Sequence, residues 1–426
     1  LGMIPPVEMR QAMNLSEHEV CQLLGGAYGR VDAPLLFYKE LKRTLTEELG
    51  FETHPLDPCI FTLRTGTQLD GVVGFHVDDG LGCGNERFQR AIARLQKTMP
   101  FGSHRKGKFR FTGIDVNQQA DFSVELDQAA YINRIEPVEV PRLRRSQLKE
   151  ALTAKEVTAL RGINGSMQYA VVNTRGDMAV RVNLLQQKVG RATVETLLEA
   201  NRTLKMMQKF NKVKLRYESI PTPEITFMLF SDASFVSKAI EKPMEGRAIF
   251  ATSTEMLENG AGPMSLIGAS SRTIKRVVRS TLGAETSAMS NGIDELSWVR
   301  LMWELIKRPG QDWRRPADLL QQAPKAIAAT DCKSLWDLIT KTATPRSEEL
   351  RVALECLLIR ERVSGNVAFR WVPTTAMVAD CLTKPMEGSL LREVLRLAKY
   401  SIRDETEVLK ALEQGRQNKR EPKLWF

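Results

Sequence analysis

Cysteine is sparse in this chain and poorly spaced for metal binding. The six residues, at positions 21, 59, 83, 332, 356 and 381, form no CxxC pair and no zinc-ligand spacing. Without an N-terminal signal peptide they read as reduced thiols of a cytosolic or nuclear protein. Long hydrophobic runs are missing too: none approaches the roughly 18–20 residues that span a bilayer. There is no internal repeat and no extended low-complexity tract, and no histidine follows His104. Acidic charge is in deficit, with 51 Asp and Glu against 61 Lys and Arg, a net charge of +10 and a pI near 9.3. Such an excess suits a polyanionic partner, because each cation that meets a phosphate releases counterions. What remains is ordinary globular composition, 42% hydrophobic over 426 residues, enough for two or three cores. The opening LGMIPPVEMR, without an initiator methionine, reads as the start of a fragment.

Periodicity along the chain points to two α/β regions separated by helices. A helical run through Phe37, Leu41 and Leu45 precedes CIFTLRTGTQLDGVVGFHVDDGLGCG, which reads as strand, turn, strand, turn, strand. RFQRAIARLQKTM is an amphipathic helix with Ile92, Leu95 and Met99 on one stripe, and KGKFRFTGIDV reads as one half-exposed strand. From Gln147 to Phe210 the pattern is helical. Prolines and polar residues in RYESIPTPEI mark a linker. Beyond it, ITFMLFSDASF, GRAIFAT and MSLIGASS read as three strands. A long helix from about Thr281 to Ile306 carries Met289, Ile293, Leu296, Val299, Trp303 and Ile306 on one face. AIAATD, two helices, NVAFRWVPT and a short helix at MVADCLTK follow.

Two places concentrate acid. In GFHVDDGLGCG, Asp78 and Asp79 stand side by side at a strand end, either as a polar hairpin tip or as part of a metal clamp. In the C-terminal region Asp232 closes a strand, Glu285 shares the sheet-facing stripe one turn before Met289, Asp331 ends a strand, and Asp380 opens a short helix. Two unit charges 4 Å apart repel by about 4 kcal/mol at an effective dielectric near 20, so a cluster of four calls for cations. Hard Mg²⁺ or Mn²⁺ ions are the natural occupants. A pair of them, roughly 3.5–4 Å apart, would clamp the attacking water and leaving oxygen of a phosphodiester. Basic runs supply a nucleic-acid surface: Arg105, Lys106, Lys108 and Arg110 in SHRKGKFRF, and Arg272, Lys275 and Arg276 in SRTIKRVVRS.

The motifs, in order, resemble the Pol polyprotein of Ty1/copia-type LTR retrotransposons. AYGRVDAPLLFYKEL is similar to the family's LYGLKQAPRAWY, HVDD to its YVDD, and LRGINGSMQYAVVNTRGDM to the stretch ending in TRPD. SDASF, STLGAETSA, ATDCKSL and VADCLTK line up with DADWAG, SSTEAEY, DN.SA and ADILTK. The resemblance implies an α/β fold: a partial reverse-transcriptase palm (1–145), a helical thumb (146–215), a linker (216–224), a ribonuclease H-like five-stranded mixed sheet with helices (225–400) and a basic tail (401–426). It implies metal-binding polymerase carboxylates at Asp78 and Asp79, beside His76 in place of the family tyrosine. It also implies a catalytic, metal-binding quartet of Asp232, Glu285, Asp331 and Asp380. The family's partners are RNA, DNA, their hybrids and a tRNA primer, and its activities are RNA-directed DNA synthesis and cleavage of RNA in hybrids. A third palm aspartate belongs on a strand before the IPPVEMR segment, and Asp32 and Asp57 fall in later elements, so the expectation is that this chain alone does not polymerise. Gly283 and Thr286 depart from the family's EAE-Y pattern, while all four quartet acids are present. The alternative reading is a non-catalytic nucleic-acid-binding relic.

Overall fold

The computed structural model describes residues 2–22, 30–236, 241–345, 347, 349–386 and 388–402, so most of the expected basic tail lies outside the described residues. Packing divides the chain into two units, Leu1–His104 with Met302–Arg314, and Arg105–Leu301 with Arg315–Phe426.

Alternating apolar residues build an antiparallel meander in the first unit. Helix α1 (Ala33–Arg43) leads into β1 (Phe51–Thr53), β2 (Ile60–Thr65), β3 (Gln68–His76) and β4 (Asp79–Gly84), hydrogen-bonded in that order. Helix α2 (Glu86–Thr98) starts where the Asn85 side chain accepts from Phe88 N–H at 3.2 Å. It buries Phe88, Ala91, Ile92 and Leu95 on the sheet. The glycines of DGLGCG are strand residues, and what they supply is space. A Cβ on Gly71 would lie 2.4 Å from the Phe88 ring, and one on Gly84 2.5 Å from it. The bare strand face is the seat of that phenylalanine.

In the second unit KGKFRFTGIDV folds as a hairpin rather than as one strand. Strands β5 (Lys108–Phe111) and β6 (Ile114–Gln118) are joined by Thr112 and Gly113, with φ of 44° and 84°. A two-residue turn with both φ positive matches strand twist, and the alternating pattern conceals it. β7 (Val124–Asp127) and β8 (Leu215–Tyr217) complete this sheet in the order β8-β7-β6-β5. Between them lie α3 (Ala154–Asn173), α4 (Ala179–Lys188) and α5 (Val194–Lys209). A reciprocal capping box of Thr153 and Glu156 opens α3.

A five-stranded mixed sheet follows, ordered β11-β10-β9-β12-β13. Its strands are β9 (Ile225–Ser234), β10 (Met244–Ser253), β11 (Ser265–Thr273), β12 (Ala326–Thr330) and β13 (Val367–Trp371). The first three are antiparallel; β12 runs parallel to β9 and β13 parallel to β12. Helices α6 (Thr281–Lys307), α7 (Lys333–Thr340), α8 (Leu350–Asn366) and α9 (Ser389–Leu397) accompany it. Along α6, Met289, Ile293 and Leu296 are buried as expected, but Val299 is only half-buried. Arg300 takes the buried place, donating to Leu320 O and Pro324 O at 3.3 and 3.2 Å. One apolar core joins Leu160, Met167, Leu197 and Leu204 of the helices to Phe230, Phe250 and Leu266 of the sheet. The stretch expected as a linker is tied into it: Tyr217 Oη donates to Leu266 O at 2.8 Å, and Glu218 N–H to Ser265 Oγ at 3.0 Å.

Candidate metal centre

Parallel pairing brings the first two acids together. The last matched residues of β9 and β12 are Phe230 and Ala329, and Asp232 and Asp331 each stand two residues farther on. With a side-chain period of two, both emerge on one face. Asp232 therefore lies within β9, opposite Gly246 of β10, and not at the strand end read from the sequence. Glu285 comes from the start of α6, where Ser280 Oγ accepts from Gly283 N–H at 3.0 Å and caps the helix. One ligand oxygen from each of Asp232, Glu285 and Asp331 can be chosen so that all lie within 4.8 Å of one another.

Asp380, the fourth acid expected from the sequence, is not one of this trio; it stands beside it, linked through Lys384. It opens a short 3-10 turn, Asp380–Leu382, and its Oδ1 accepts from Lys384 Nζ. The same Nζ lies 4.0 Å from Asp232 Oδ2. This turn reaches the sheet because Gly246 is bare. A Cβ there would meet Leu382 Cβ and Thr383 Cγ2, each at 2.7 Å, and Ala379 O at 3.1 Å. Thr383 Oγ1 donates to Asp232 Oδ2, Thr374 Oγ1 donates to Asp331 Oδ2 at 2.8 Å, and Trp371 Nε1 donates to Asp331 O at 2.9 Å.

Burial decides the electrostatics. Asp232 is 1% exposed and Glu285 5%. Loss of water pushes Asp232 up to about 7; Lys384 and Thr383 oppose the shift, while the charges of Asp331 and Asp380 add to it. Burial, then the charges of Asp232 and Asp331, raise Glu285 well above its ordinary value. Asp331 is also raised by burial, against the hydrogen bond from Thr374. For Lys384 burial acts downward, but the carboxylates of Asp232 and Asp380 outweigh it and hold the ammonium above its usual range. Glu285 Oε2 is buried without a hydrogen-bond partner.

Sequence reading named the four acids and missed their supports: Gly246, Thr374, Thr383 and Lys384. A glycine in a strand interior is the one signal that pointed to a close approach. At the other acidic place, His76, Asp78 and Asp79 are exposed at the β3–β4 hairpin tip, where His76 pairs with Asp79 and Val77 has a φ of 58°. Among the described residues no third metal-ligating side chain gathers with these two aspartates. Of the basic candidates, Arg105, Lys106, Lys108, Arg272 and Lys275 are exposed. Arg110 is paired with Asp115 at 2.8 Å, and Arg276 lies 3.6 Å from Glu355.

No family model matches the chain. It is 26% identical over 381 residues to the retrovirus-related Pol polyprotein from transposon RE1 of Arabidopsis thaliana, covering 86% of this chain and 24% of that protein. Identity to the corresponding transposon RE2 polyprotein of the same plant is 25%, with the same coverage. The chain thus spans about a quarter of the length of these relatives. Among solved structures it is similar to a foamy viral protease-reverse transcriptase in complex with double-stranded DNA, at a TM-score of 0.47 and 11% identity, over 83% of this chain and 51% of that one. The relatives bear out the resemblance to retrotransposon Pol read from the motifs.

Proposed function

Since the homologues of this chain are Pol polyproteins of Ty1/copia-type retrotransposons, we propose that it is the reverse transcriptase–ribonuclease H part of such a polyprotein and cleaves the RNA strand of RNA–DNA hybrids with the help of divalent metal. In this reading residues 1–145 belong to the palm, with Asp78 and Asp79, 146–215 to the helical thumb or connection, 216–224 to a linker, and 225–400 to the nuclease. The observation that carries this reading is the convergence of Asp232, Glu285 and Asp331, from elements distant in sequence, with oxygens inside 4.8 Å.

Divalent metal fits the donor set. All four candidate ligands are carboxylates, the hard oxygen donors that Mg²⁺ or Mn²⁺ takes. The buried Glu285 Oε2 also lacks any partner that would justify its burial. Asp232, Glu285, Asp331 and Asp380 would hold the ions, which when bound lower the pKa of water and stabilise charge on the leaving oxygen. The remaining work falls to the chain itself. Thr374 and the Trp371 indole fix Asp331 through its carboxylate and its backbone carbonyl, and Thr383 holds one oxygen of Asp232. Arg272, Lys275 and Arg276, just before α6, are suited to hold the phosphates of a hybrid, whose RNA strand is distinguished by its 2′-hydroxyls. Arg105, Lys106 and Lys108 extend the basic surface.

The test uses the full chain, labelled hybrid and Mg²⁺ or Mn²⁺. Wild type should cut the RNA strand and leave the DNA strand. Asp331→Asn should lose activity by at least about a hundredfold, while its thermal midpoint stays close to wild type. Equal cleavage by both proteins would remove Asp331 from the centre. Salt-sensitive binding of the hybrid without any product would favour the non-catalytic relic.

A further inference from the structure

Lys384 stands at the edge of the acidic cluster, between two of its carboxylates. Its Nζ contacts Asp380 Oδ1 and lies 4.0 Å from Asp232 Oδ2, so one ammonium is shared between two of the candidate ligands. Its reach is local, four residues beyond Asp380 past the turn that Gly246 admits. The side chain is 45% exposed. The amine therefore has an open way to solvent, on a stem flexible enough to take it. Glu285, which gathers with Asp232 and Asp331, keeps its Oε2 buried and unpartnered, a place for positive charge that Lys384 leaves unfilled.

Asp380 Oδ1, which the ammonium now holds, is one of the oxygens a divalent cation would use, and an ion among the neighbouring carboxylates would repel an ammonium at such range. We propose that Lys384 is a tethered counter-ion: it occupies part of the metal centre while no metal is bound, must withdraw for divalent ions to load, and so sets the metal requirement of the site. The inference rests on the metal-centre reading above. Removing the charge should leave Asp380 Oδ1 free for metal and make loading easier. Keeping the charge on a different head group should not.

The experiment measures Mn²⁺ binding to the full chain by calorimetry. Lys384→Met should bind Mn²⁺ at least about tenfold more tightly than wild type, about 1.4 kcal/mol, and Lys384→Arg should stay within about threefold of wild type. Unchanged or weaker binding by Lys384→Met overturns the proposal, as does tightening of the same size in Lys384→Arg. A measurement on wild type alone guards against misfolded variants. Acylation of Lys384 by an amine-reactive ester, read by peptide mass spectrometry against exposed Lys399, should speed up at least threefold when Mn²⁺ replaces Na⁺ at equal ionic strength. No acceleration overturns the idea. Tighter Mn²⁺ binding by Lys384→Met in a protein that leaves hybrid uncut supports the counter-ion and removes the nuclease. Cleavage by wild type with unaltered Mn²⁺ affinity in Lys384→Met does the reverse.

Discussion

His54 is 4% exposed, with both ring nitrogens engaged. Nδ1 accepts from Leu56 N–H and Asp57 N–H at 3.2 and 3.1 Å, so Nε2 carries the proton and donates to Met302 O at 3.2 Å. A second proton would turn Nδ1 into a donor facing two donors. Burial accordingly lowers the ring's pKa, although the Met302 carbonyl works the other way. A histidine depressed in the folded state lends stability that is complete above its unfolded value near 6.5 and is lost as pH falls through the folded one. Urea midpoints of the first unit's signal should fall between pH 7.5 and 5, and His54→Gln should flatten that dependence. Identical slopes in both proteins would show that the ring is not responsible. Nothing in the sequence singled out His54; its role depends on backbone groups that no side-chain pattern reveals. The carboxylates of the candidate centre were legible because an acid next to an apolar strand is conspicuous. Thr374 and Thr383 were not, since a threonine looks the same whether it faces water or an aspartate.

Among elements, the loop-to-sheet contact at Gly246 has the clearest consequence. Alanine there would press a methyl against Leu382 and Thr383. Overpacking of that kind costs about 1–3 kcal/mol, and the turn that bears Asp380 and Lys384 must shift to relieve it. Gly246→Ala should therefore lower hybrid cleavage about a hundredfold while depressing the thermal midpoint by only a few degrees. Full activity in that variant would mean that the turn is not held by the strand. The order of strands and helices could be read in advance from the change of hydrophobic period between 2 and 3.6. Strand ends and paired turns could not. The β5–β6 hairpin was read as one strand because the charge and aromatic alternation of Lys108–Phe111 was carried on past Thr112-Gly113, where it stops and both residues take a positive φ.

At the level of the whole molecule, the shared core governs what can be cut away. Leu160, Met167, Leu197 and Leu204 of the helices are each 0% exposed in the cluster that also holds Phe230 and Phe250. Covering one such side chain is worth roughly 1.5–3 kcal/mol, so a piece beginning at Pro221 would expose enough apolar surface to lose its fixed packing. It should bind an apolar dye and melt without a sharp transition, whereas a piece beginning at Arg105 should melt cooperatively. A sharp, dye-free transition in the shorter piece would show that the sheet needs no helical partner. No helix among the described residues is long and apolar enough to cross a membrane, in keeping with the short apolar runs of the sequence.

Taken by itself, the sequence determined the class of fold, the succession of elements and the identity of the acids, because those depend on periodicity and composition over a few neighbouring residues. Tertiary structure alone decided that Asp232 and Asp331 stand abreast, that a turn settles on Gly246, and that the amine of Lys384 lies between two carboxylates. Each of those outcomes is a distance between groups remote along the chain, set by strand register and by the room one missing side chain leaves, and local pattern carries no record of either.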